Sequence, residues 1–485
     1  MAENDVMMQA FEWYLPNDGN YYNNLKQKVS DLKEKGFNSI WLPPMFKATN
    51  TDDVGYGVYD IYDLGEFDQK GDVRTKYGTL EELRELIDEI HKHDMQVYAD
   101  VVLNHKAGAD FTETFRAIQV DENDREKEIS DVHDIEGWTG FNFPGREGKY
   151  SDFEWNFNHF TGTDYDQKED VTGVFKILGE NKSWSEGVSD EKGNFDYLMF
   201  ADIDHKHPDV KADLFHWGEW FINHVDIDGM RFDALKHIED GFIEEFIKHI
   251  EEVSDKDLYF FGEYWQNDPD SKSKYLYEVK YNTDLFDVVL HYNMEQASKD
   301  IDNFDMRKIF DHTLVQEHPL LAVTFVDNHD SQPGQSLESF VQPWFKKIAY
   351  GLILLRKDGY PCVFYGDYYG LGGDNPIEGQ KEMIDQLIDI RKRYAYGEQT
   401  DYMETEDLIG WVRHGNDEHP GTLAVVISTG NMNELRMEVG KVHAGKTFVE
   451  LTGDNPNEIV IDEEGFANFE VGPGTLTCWA EKLEE

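Results

Sequence analysis

The chain of 485 residues carries 99 acidic against 45 basic side chains, which gives a formal net charge of −54. Nucleic-acid binding depends on Lys and Arg side chains that neutralise phosphates, so nucleic acid and anionic membranes are not expected as partners. The length and the 39% of apolar residues predict two or three packed domains, and we expect a monomer. The acidity fits either an ordinary solvated surface, which we favour, or adaptation to high salt.

The start of the chain, MAENDVMMQAFEWY, lacks the basic and long apolar segments of a signal peptide. No run of about 18 apolar residues occurs either, so we expect a cytoplasmic protein without a membrane span. A secreted protein whose signal has been replaced is the alternative. The two cysteines, Cys362 and Cys478, exclude a disulfide framework and are expected to be inert packing residues.

Short runs rich in β-branched and aromatic residues alternate with segments of helical periodicity along most of the chain. Eight runs are predicted strands: 6–14, 37–44, 95–105, 228–237, 258–265, 286–292, 321–330 and 360–367. Four intervening segments are predicted amphipathic helices: 79–93, 210–225, 241–253 and 343–356. Eight strands separated by helices predict an α/β fold, a (β/α)8 or TIM barrel, with its functional groups where strands end.

Two segments break this rhythm. Residues 106–208 are too long for a loop after the third strand and predict an inserted domain. Beyond 397, alternating runs such as TLAVVIST and TLTCWAE predict an antiparallel β-domain. We therefore assign residues 1–105 and 209–397 to the barrel, 106–208 to the inserted domain, and 398–485 to a C-terminal domain resembling a β-sandwich.

Three predicted strands end in acids: Asp233 in GMRFDALKH, Glu263 in FFGEYW and Asp330 in TFVDNHD. At a barrel mouth, burial and like-charge neighbours can separate pKa values into one proton donor and one ionised nucleophile. A single strand-end acid is as often a helix cap or an ion-pair partner. Arg231, however, precedes Asp233 by two residues, so both lie on one face of the strand, where the guanidinium can hold the carboxylate ionised.

Four segments carry a family resemblance: DVVLNH (100–105), GMRFDALKH (229–237), GEYW (262–265) and FVDNHD (325–330). They are similar, in order and spacing, to the four signature regions of the α-amylase family of glycoside hydrolases. Residues 11–19, 53–71, 197–210 and 325–339 resemble the bacterial liquefying α-amylases in particular. The resemblance covers nearly the whole chain and implies a barrel, a domain inserted after strand three and a C-terminal β-domain.

The resemblance also implies a reaction, namely hydrolysis of internal α-1,4 bonds in starch, glycogen and malto-oligosaccharides with retention of anomeric configuration. It assigns Asp233 as the nucleophile, Glu263 as the general acid and then base, and Asp330 as the acid that stabilises the transition state. Retaining glycoside hydrolysis requires such a pair, one carboxylate attacking the anomeric carbon and the other protonating the leaving oxygen.

Further residues are implied to bind the α-glucan substrate. Isolated histidines and aromatic residues more often serve packing, but these accompany the acids, and sugar faces stack on aromatic rings. His105 and His329 would hydrogen-bond sugar hydroxyls, and Lys236 would contact a further glucose unit, although a solvated lysine is the alternative. The substrate-binding set is Trp13, Tyr56, His105, Arg231, Lys236, Trp265 and His329.

One calcium ion is implied where the barrel joins the inserted domain. Its ligands would be Asn104, Asp196, Asp202 and the backbone carbonyl of His237. Hard oxygen ligands suit Ca²⁺ and disfavour zinc, despite the histidines nearby at positions 205 and 207. A solvated acidic loop without a metal is the alternative.

A second calcium beside the first is not predicted, because Ser185 and Lys206 stand where the liquefying enzymes have acids. These replacements remove charge that a divalent ion needs, despite Asp164 and Asp204, and a lysine ammonium could take the place of an ion. A third calcium, between the barrel and the C-terminal domain, is also not predicted. Only Asp407 and Glu406 resemble ligands there.

Other functions share these acids. A related enzyme could transfer glucosyl units, or prefer α-1,6 branches or short oligosaccharides, because loops rather than acids determine that choice. From different classes, the chain could be a silent glucan-binding protein or use a metal cluster for phosphate chemistry. The joint presence of Arg231, Asp233, Glu263 and Asp330 disfavours the first, and the lack of a phosphate-binding Gly loop with Lys disfavours the second.

Overall fold

The computed structural model describes residues 4–482, in which eight parallel strands close into a barrel. Each strand pairs with its neighbours in sequence, and the last pairs with the first, so the barrel has no free edge. This confirms the predicted (β/α)8 fold. The strands are β1 (Met7–Gln9), β2 (Ser39–Leu42), β3 (Gln96–Val101), β4 (Gly229–Phe232), β5 (Tyr259–Gly262), β6 (Asp284–Phe286), β7 (Ala322–Phe325) and β8 (Tyr360–Phe364).

One long helix follows each barrel strand, and the four predicted helices are among them. The eight are Val29–Lys35, Leu80–Lys92, Pro208–His224, Asp240–Val253, Pro269–Glu278, Val288–Lys299, Lys346–Leu354 and Lys381–Tyr394. Shorter helices are Tyr21–Lys26, Leu314–Glu317 and Tyr365–Tyr369. The helix after β2 shows the local cause: a capping box of Thr79 and Glu82 starts it, and Leu83 and Leu86 are buried on one face.

The predicted strand at 286–292 is wrong in its position. Strand β6 ends at Phe286, and the apolar residues that follow form the helix Val288–Lys299. Asp287 explains the change, because its side chain accepts a hydrogen bond from the Leu290 N–H (3.1 Å) and so caps the helix. A short apolar run cannot be assigned to a strand or a helix from periodicity alone.

The long segment between β3 and the next barrel helix folds as a six-stranded antiparallel sheet. In sheet order its strands are His105–Lys106, Ala201–Ile203, Phe160–Asp166, Val171–Ile177, Phe111–Val120 and His133–Gly140. The first and last of these along the chain pair with each other, His105 opposite Asp202. The insertion therefore leaves and rejoins the barrel beside the end of β3, while its limits at 106 and 208 stay a prediction.

The C-terminal part consists of antiparallel strands, as predicted. Six form one sheet in the order Gln399–Thr405, Leu408–Arg413, Leu423–Ser428, Thr475–Glu481, Thr447–Glu450 and Glu458–Val460, and Asn433–Glu438 pairs with Phe466–Val471. Cys362 and Cys478 are buried free thiols. Within residues 4–482 no helix has the length and apolar character needed to cross a membrane.

Candidate active site

A cavity of about 610 Å³ opens where the barrel strands end, and all three predicted acids line it. Asp233 follows β4, Glu263 follows β5 and Asp330 lies in the segment after β7. The N–H of Asp233 donates to the carbonyl of Val101 (3.0 Å), and that of Glu263 to the carbonyl of Phe232 (2.9 Å). The backbone hydrogen bonds of the parallel sheet thus extend one residue beyond β4 and β5. They fix the backbone positions of both acids.

Arg231 lies beneath these acids and is fully buried. One terminal nitrogen donates to Asp233 Oδ1 (2.8 Å) and Asp100 Oδ1 (2.9 Å), and the other donates to Glu263. The predicted pairing of Arg231 with Asp233 is therefore present. Because the guanidinium does not line the cavity, it acts on the carboxylates rather than touching a substrate.

Asp100, near the end of β3, is a further hydrogen-bonding group beneath the acids. Its Oδ2 accepts hydrogen bonds from the Trp41 indole (3.1 Å) and the Tyr56 hydroxyl (3.0 Å), while its Oδ1 accepts from Arg231. Both terminal nitrogens of Arg231, the Trp41 indole and the Tyr56 hydroxyl are thereby directed at carboxylates. A buried charge held by several hydrogen bonds keeps its orientation, which pre-organises the acids above it.

Burial and mutual repulsion change the acidity of the site. Burial raises the pKa of Glu263 to about 8; Arg231 opposes this shift, while Asp330 and Asp233 add to it. Burial also raises the pKa of Asp330 to about 7, again with repulsion from Asp233. At neutral pH the Glu263 carboxyl therefore retains its proton, as a general acid must.

The turn after Asp233 is strained in the way functional sites often are. Ala234 adopts a left-handed conformation (φ 55°), which costs a non-glycine residue free energy. The next residue, Leu235, donates its N–H to the Glu263 carbonyl (2.9 Å). This turn joins the ends of β4 and β5 and holds the first two acids side by side.

Three predicted substrate residues have nearly parallel rings; Trp13 and Tyr56 line the cavity, and the buried His329 lies beside them. The Tyr56 and His329 rings lie 5.0 Å apart and 4° from parallel, and Trp13 stacks on both. Trp265 lines the cavity too, with its indole N–H donating to the Tyr292 hydroxyl (3.0 Å). Fixed aromatic faces suit the apolar C–H surfaces of sugar rings.

The two predicted histidines differ in what they can offer a substrate. The Gln9 amide donates to His329 Nδ1 (2.9 Å), so the proton of the neutral ring lies on Nε2, 3.4 Å from Asp330. His105 lines the cavity, but its Nε2 donates to the Tyr56 carbonyl (2.8 Å). Burial lowers the pKa of both rings, which keeps them neutral. His329 thus has a free donor, whereas the hydrogen-bonding role of His105 stays a prediction.

The cavity also contains residues that sequence reasoning missed. Most come from the inserted sheet and its loops: Glu191, Lys192, Phe195, Leu198 and Met199; Ser336 and Leu337 follow β7. Glu191 pairs with the predicted residue Lys236 at 2.6 Å, and the Lys236 ammonium lies over the Phe195 ring. The apolar run YLMF within a polar insertion was the available signal, but no spacing rule links it to the acids.

The three side chains among the predicted calcium ligands, Asn104, Asp196 and Asp202, meet where the inserted sheet joins β3, while the part of the His237 carbonyl stays a prediction. The Asn104 amide donates to Asp202 Oδ1 (3.3 Å), and Asp196 raises the pKa of Asp202 by repulsion in addition to burial. Asn104 Oδ1 and Asp196 Oδ1 are buried without a hydrogen-bond partner. Buried acceptors without donors are costly unless a cation satisfies them, so this donor set fits a hard divalent ion.

The neighbouring position contains a lysine, although not the one considered from the sequence. The buried Lys182 ammonium donates to Asp204 Oδ2 (2.8 Å), to the Phe160 carbonyl (2.9 Å) and to the Asn158 carbonyl. Lys206 is instead exposed. A lysine charge therefore satisfies Asp204, which supports the expectation that no second calcium binds there.

Two other groups resemble metal sites. A cavity of about 640 Å³ between the barrel and the C-terminal strands is lined by acids that include Glu406 and Asp407. Separately, ligand atoms of His159, His207 and Asp209 lie within 4.8 Å of one another. Both of these histidines accept a backbone N–H at Nδ1, so each neutral ring carries its proton on Nε2 and lacks a free lone pair for a metal.

A closed parallel barrel with buried carboxyl groups side by side at its mouth is an arrangement that retaining glycoside hydrolases use. A family model described as "Alpha amylase, catalytic domain" matches residues 18–408. The chain belongs to the α-amylase family.

Curated relatives match along nearly the full length. The chain is 47% identical to a glucan 1,4-alpha-maltohexaosidase of Bacillus sp. (strain 707), covering 99% of this chain and 93% of that one. It is also 47% identical to an alpha-amylase of Bacillus licheniformis, covering 99% and 94%. A cytoplasmic alpha-amylase of Escherichia coli (strain K12) is 41% identical, covering 98% of both.

The fold also occurs in a solved glucanotransferase. The crystal structure of CldA, a cyclomaltodextrin glucanotransferase, covers 99% of this chain and 100% of its own, with 18% identity and a TM-score of 0.68. At that identity the likeness concerns the fold alone. The barrel with its two additional parts therefore does not by itself separate hydrolysis from glucosyl transfer.

Proposed function

We propose that this protein is an α-amylase that hydrolyses internal α-1,4 bonds of starch-like glucans with retention of configuration. The observation that carries the proposal is Arg231 bonded to both Asp233 and Glu263 at the cavity floor. One guanidinium thereby orients two carboxyl groups toward the same space, and burial raises the pKa of one of them, Glu263. Retaining hydrolysis uses such a pair on either side of one bond.

In the proposed mechanism Glu263 donates its proton to the leaving glycosidic oxygen while Asp233 attacks the anomeric carbon. The C–O bond breaks, the shortened glucan leaves, and a covalent glycosyl–Asp233 ester forms. Glu263, now ionised, takes a proton from water as that water attacks the ester, which restores both groups. Asp330 would stabilise the developing positive charge. His329 would donate its Nε2–H to a sugar hydroxyl, which helps to hold the distorted sugar.

We further propose one calcium ion held by Asn104, Asp196, Asp202 and the His237 carbonyl. The unpartnered oxygens of Asn104 and Asp196 support it. When bound, the ion supplies charge that ties the inserted sheet to the end of β3. It takes no part in bond cleavage, because His237 alone among these residues lines the cavity.

The partner would be an α-glucan, and the protein would act as a monomer in the cytoplasm. The cytoplasmic relative from Escherichia coli supports the location. Glucosyl transfer is the second candidate function, because a glucanotransferase shares the fold. Preference for α-1,6 branches or for short oligosaccharides would require the same acids, and the loops would determine it.

Incubation with soluble starch, followed by sizing of the products, tests the proposal. We expect a rapid fall in chain length, with iodine colour lost well before much reducing sugar appears. Longer, cyclic or branched products would identify a transferase instead. Binding of starch without any new reducing ends would identify a silent glucan-binding protein.

A further inference from the structure

A buried lysine outside the cavity connects the ends of two barrel strands. Lys346 opens the helix between β7 and β8 and is 2% exposed. Its ammonium donates to Asp327, which follows β7, and to Asp367 Oδ1 (2.6 Å), which follows β8. The ring of Phe340 covers the ammonium at 3.9 Å. None of these residues lines the cavity, so the cluster does not contact substrate.

The cluster is a costly arrangement to bury. Taking one ammonium and two carboxylates out of water is repaid only when geometry and hydrogen bonding are excellent. Here the carboxylates have further donors, since the Tyr350 hydroxyl donates to Asp367 Oδ2 (2.8 Å) and the Val341 N–H to Asp327 Oδ2 (3.2 Å). An apolar core would fill this space as well, so the ions have a purpose other than stability alone.

A chain of hydrogen bonds leads from this cluster to the segment that carries Asp330. Asp327 Oδ1 accepts from the Ser331 hydroxyl (2.7 Å), whose oxygen accepts the Asn328 N–H (2.9 Å). Asn328 Oδ1 in turn accepts the N–H groups of Asp330 (2.9 Å) and Ser331 (2.8 Å). These hydrogen bonds fix the position of the Asp330 backbone.

We propose that Lys346 is a positioning residue for the reaction: through Asp327, Ser331 and Asn328 it holds Asp330 at the place where the sugar is distorted. The inference rests on the proposed function, because Asp330 has a role only if a glycosidic bond is cleaved. Its physical basis is that hydrogen bonds hold both ends of the segment from Asp327 to Ser331, so that this segment cannot shift freely. Catalysis is sensitive to displacements near 1 Å.

The test compares Lys346→Met with wild type in steady-state hydrolysis of maltoheptaose, and melting is measured in parallel. We expect kcat to fall by about 10- to 100-fold while KM changes by no more than about threefold, because binding walls are untouched. Lys346→Arg keeps a positive charge beside both carboxylates but must fit a larger planar group into the same buried space, so we expect its kcat to lie between those of Lys346→Met and wild type.

Lys347→Met is the matched control. Lys347 lies on the same helix but pairs with Asp454 and with Thr452 (3.0 Å) of the C-terminal strands. Its loss should lower the melting temperature and leave kcat within about twofold of wild type. This variant separates lost stability from lost positioning.

Ser331→Ala keeps the test decisive should Lys346→Met fail to fold, because it breaks the same chain without stranding a charge. We expect a lower kcat at similar KM and a nearly unchanged melting temperature. A folded Lys346→Met or Ser331→Ala variant with wild-type kcat, or one changed only in KM, would overturn the inference. A wild-type protein that does not cleave maltoheptaose would instead refute the proposed function.

Discussion

At the scale of single residues, the site depends on one cation serving several acids. Arg231 contacts Asp100, Asp233 and Glu263, so removing any one partner would redistribute charge among the others. Burial raises the pKa of Glu263, and Arg231 limits that rise. The environment of Glu263 thus supports its role as the proton donor, since an ordinary glutamate would be ionised at neutral pH.

This environment predicts how the rate depends on pH. The reaction needs protonated Glu263, whose raised pKa is about 8, so the proton donor, and the rate with it, is lost as pH rises through that value. We expect kcat/KM for maltoheptaose to fall about tenfold per pH unit at pH values well above the pKa of Glu263. A profile between about pH 4 and pH 10 measures it, and a basic limb near the ordinary glutamate pKa of about 4.3 would contradict the assignment.

At the scale of elements, the join between the inserted sheet and β3 is the clearest case of residues placed for a ligand. Asp202 pairs across the sheet with His105, which directly follows Asn104. Strand pairing therefore brings residues almost one hundred positions apart into one oxygen-rich group. The buried acceptors of Asn104 and Asp196 have no hydrogen-bond partner, a cost that the proposed cation would offset.

Chelation should expose that dependence. We expect EDTA to lower the melting temperature of wild type by several degrees, since a ligand that binds only the folded state stabilises it by mass action. Asp202→Asn should melt lower than wild type and respond little to EDTA. Equal responses of the two proteins, or no response in wild type at low calcium, would count against the site. Lys206→Met, at an exposed position, serves as the control.

Local pattern was enough to predict the barrel and its acids. Asp233 and Glu263 directly follow apolar strands, and Asp330 lies five residues beyond the end of β7. Period-2 alternation placed Arg231 beside Asp233, as the 2.8 Å contact confirms. The limits of strands were less predictable, because β6 ends where the Asp287 side chain caps a helix. Capping depends on three-dimensional hydrogen bonding rather than on the apolar pattern.

Contacts between distant segments were not predictable. The Glu191–Lys236 pair spans 45 positions, and Lys182 reaches Asp204 across the inserted sheet. Neither segment has a periodic pattern from which its partner could be predicted. The departure at Ser185 and Lys206 led to the prediction that a lysine could take the place of an ion, and the lysine that pairs with Asp204 is Lys182.

At the scale of the whole molecule, the dominant physical property is the net charge of −54. Like charges spread over a folded surface repel one another and destabilise the compact state. Many acids are nonetheless paired locally, as Arg356 is with Asp401. The remaining repulsion acts over distances up to the screening length, which depends on the salt concentration.

Salt should therefore stabilise the protein. Raising NaCl from about 0.01 M to about 1 M shortens the screening length from about 30 Å to about 3 Å, so we expect the melting temperature to rise by several degrees. Sucrose at matched osmolality is the control for nonspecific effects. A melting temperature that falls or stays constant across the series would show that local pairing already cancels the repulsion.

The most direct test of the central claim compares wild type with Asp233→Asn on soluble starch. The amide keeps the shape of the side chain but cannot attack the anomeric carbon, so we predict a loss of at least about 1,000-fold in release of reducing ends. The variant should fold as wild type does and still bind maltoheptaose. Full starch cleavage by folded Asp233→Asn would contradict the proposed mechanism.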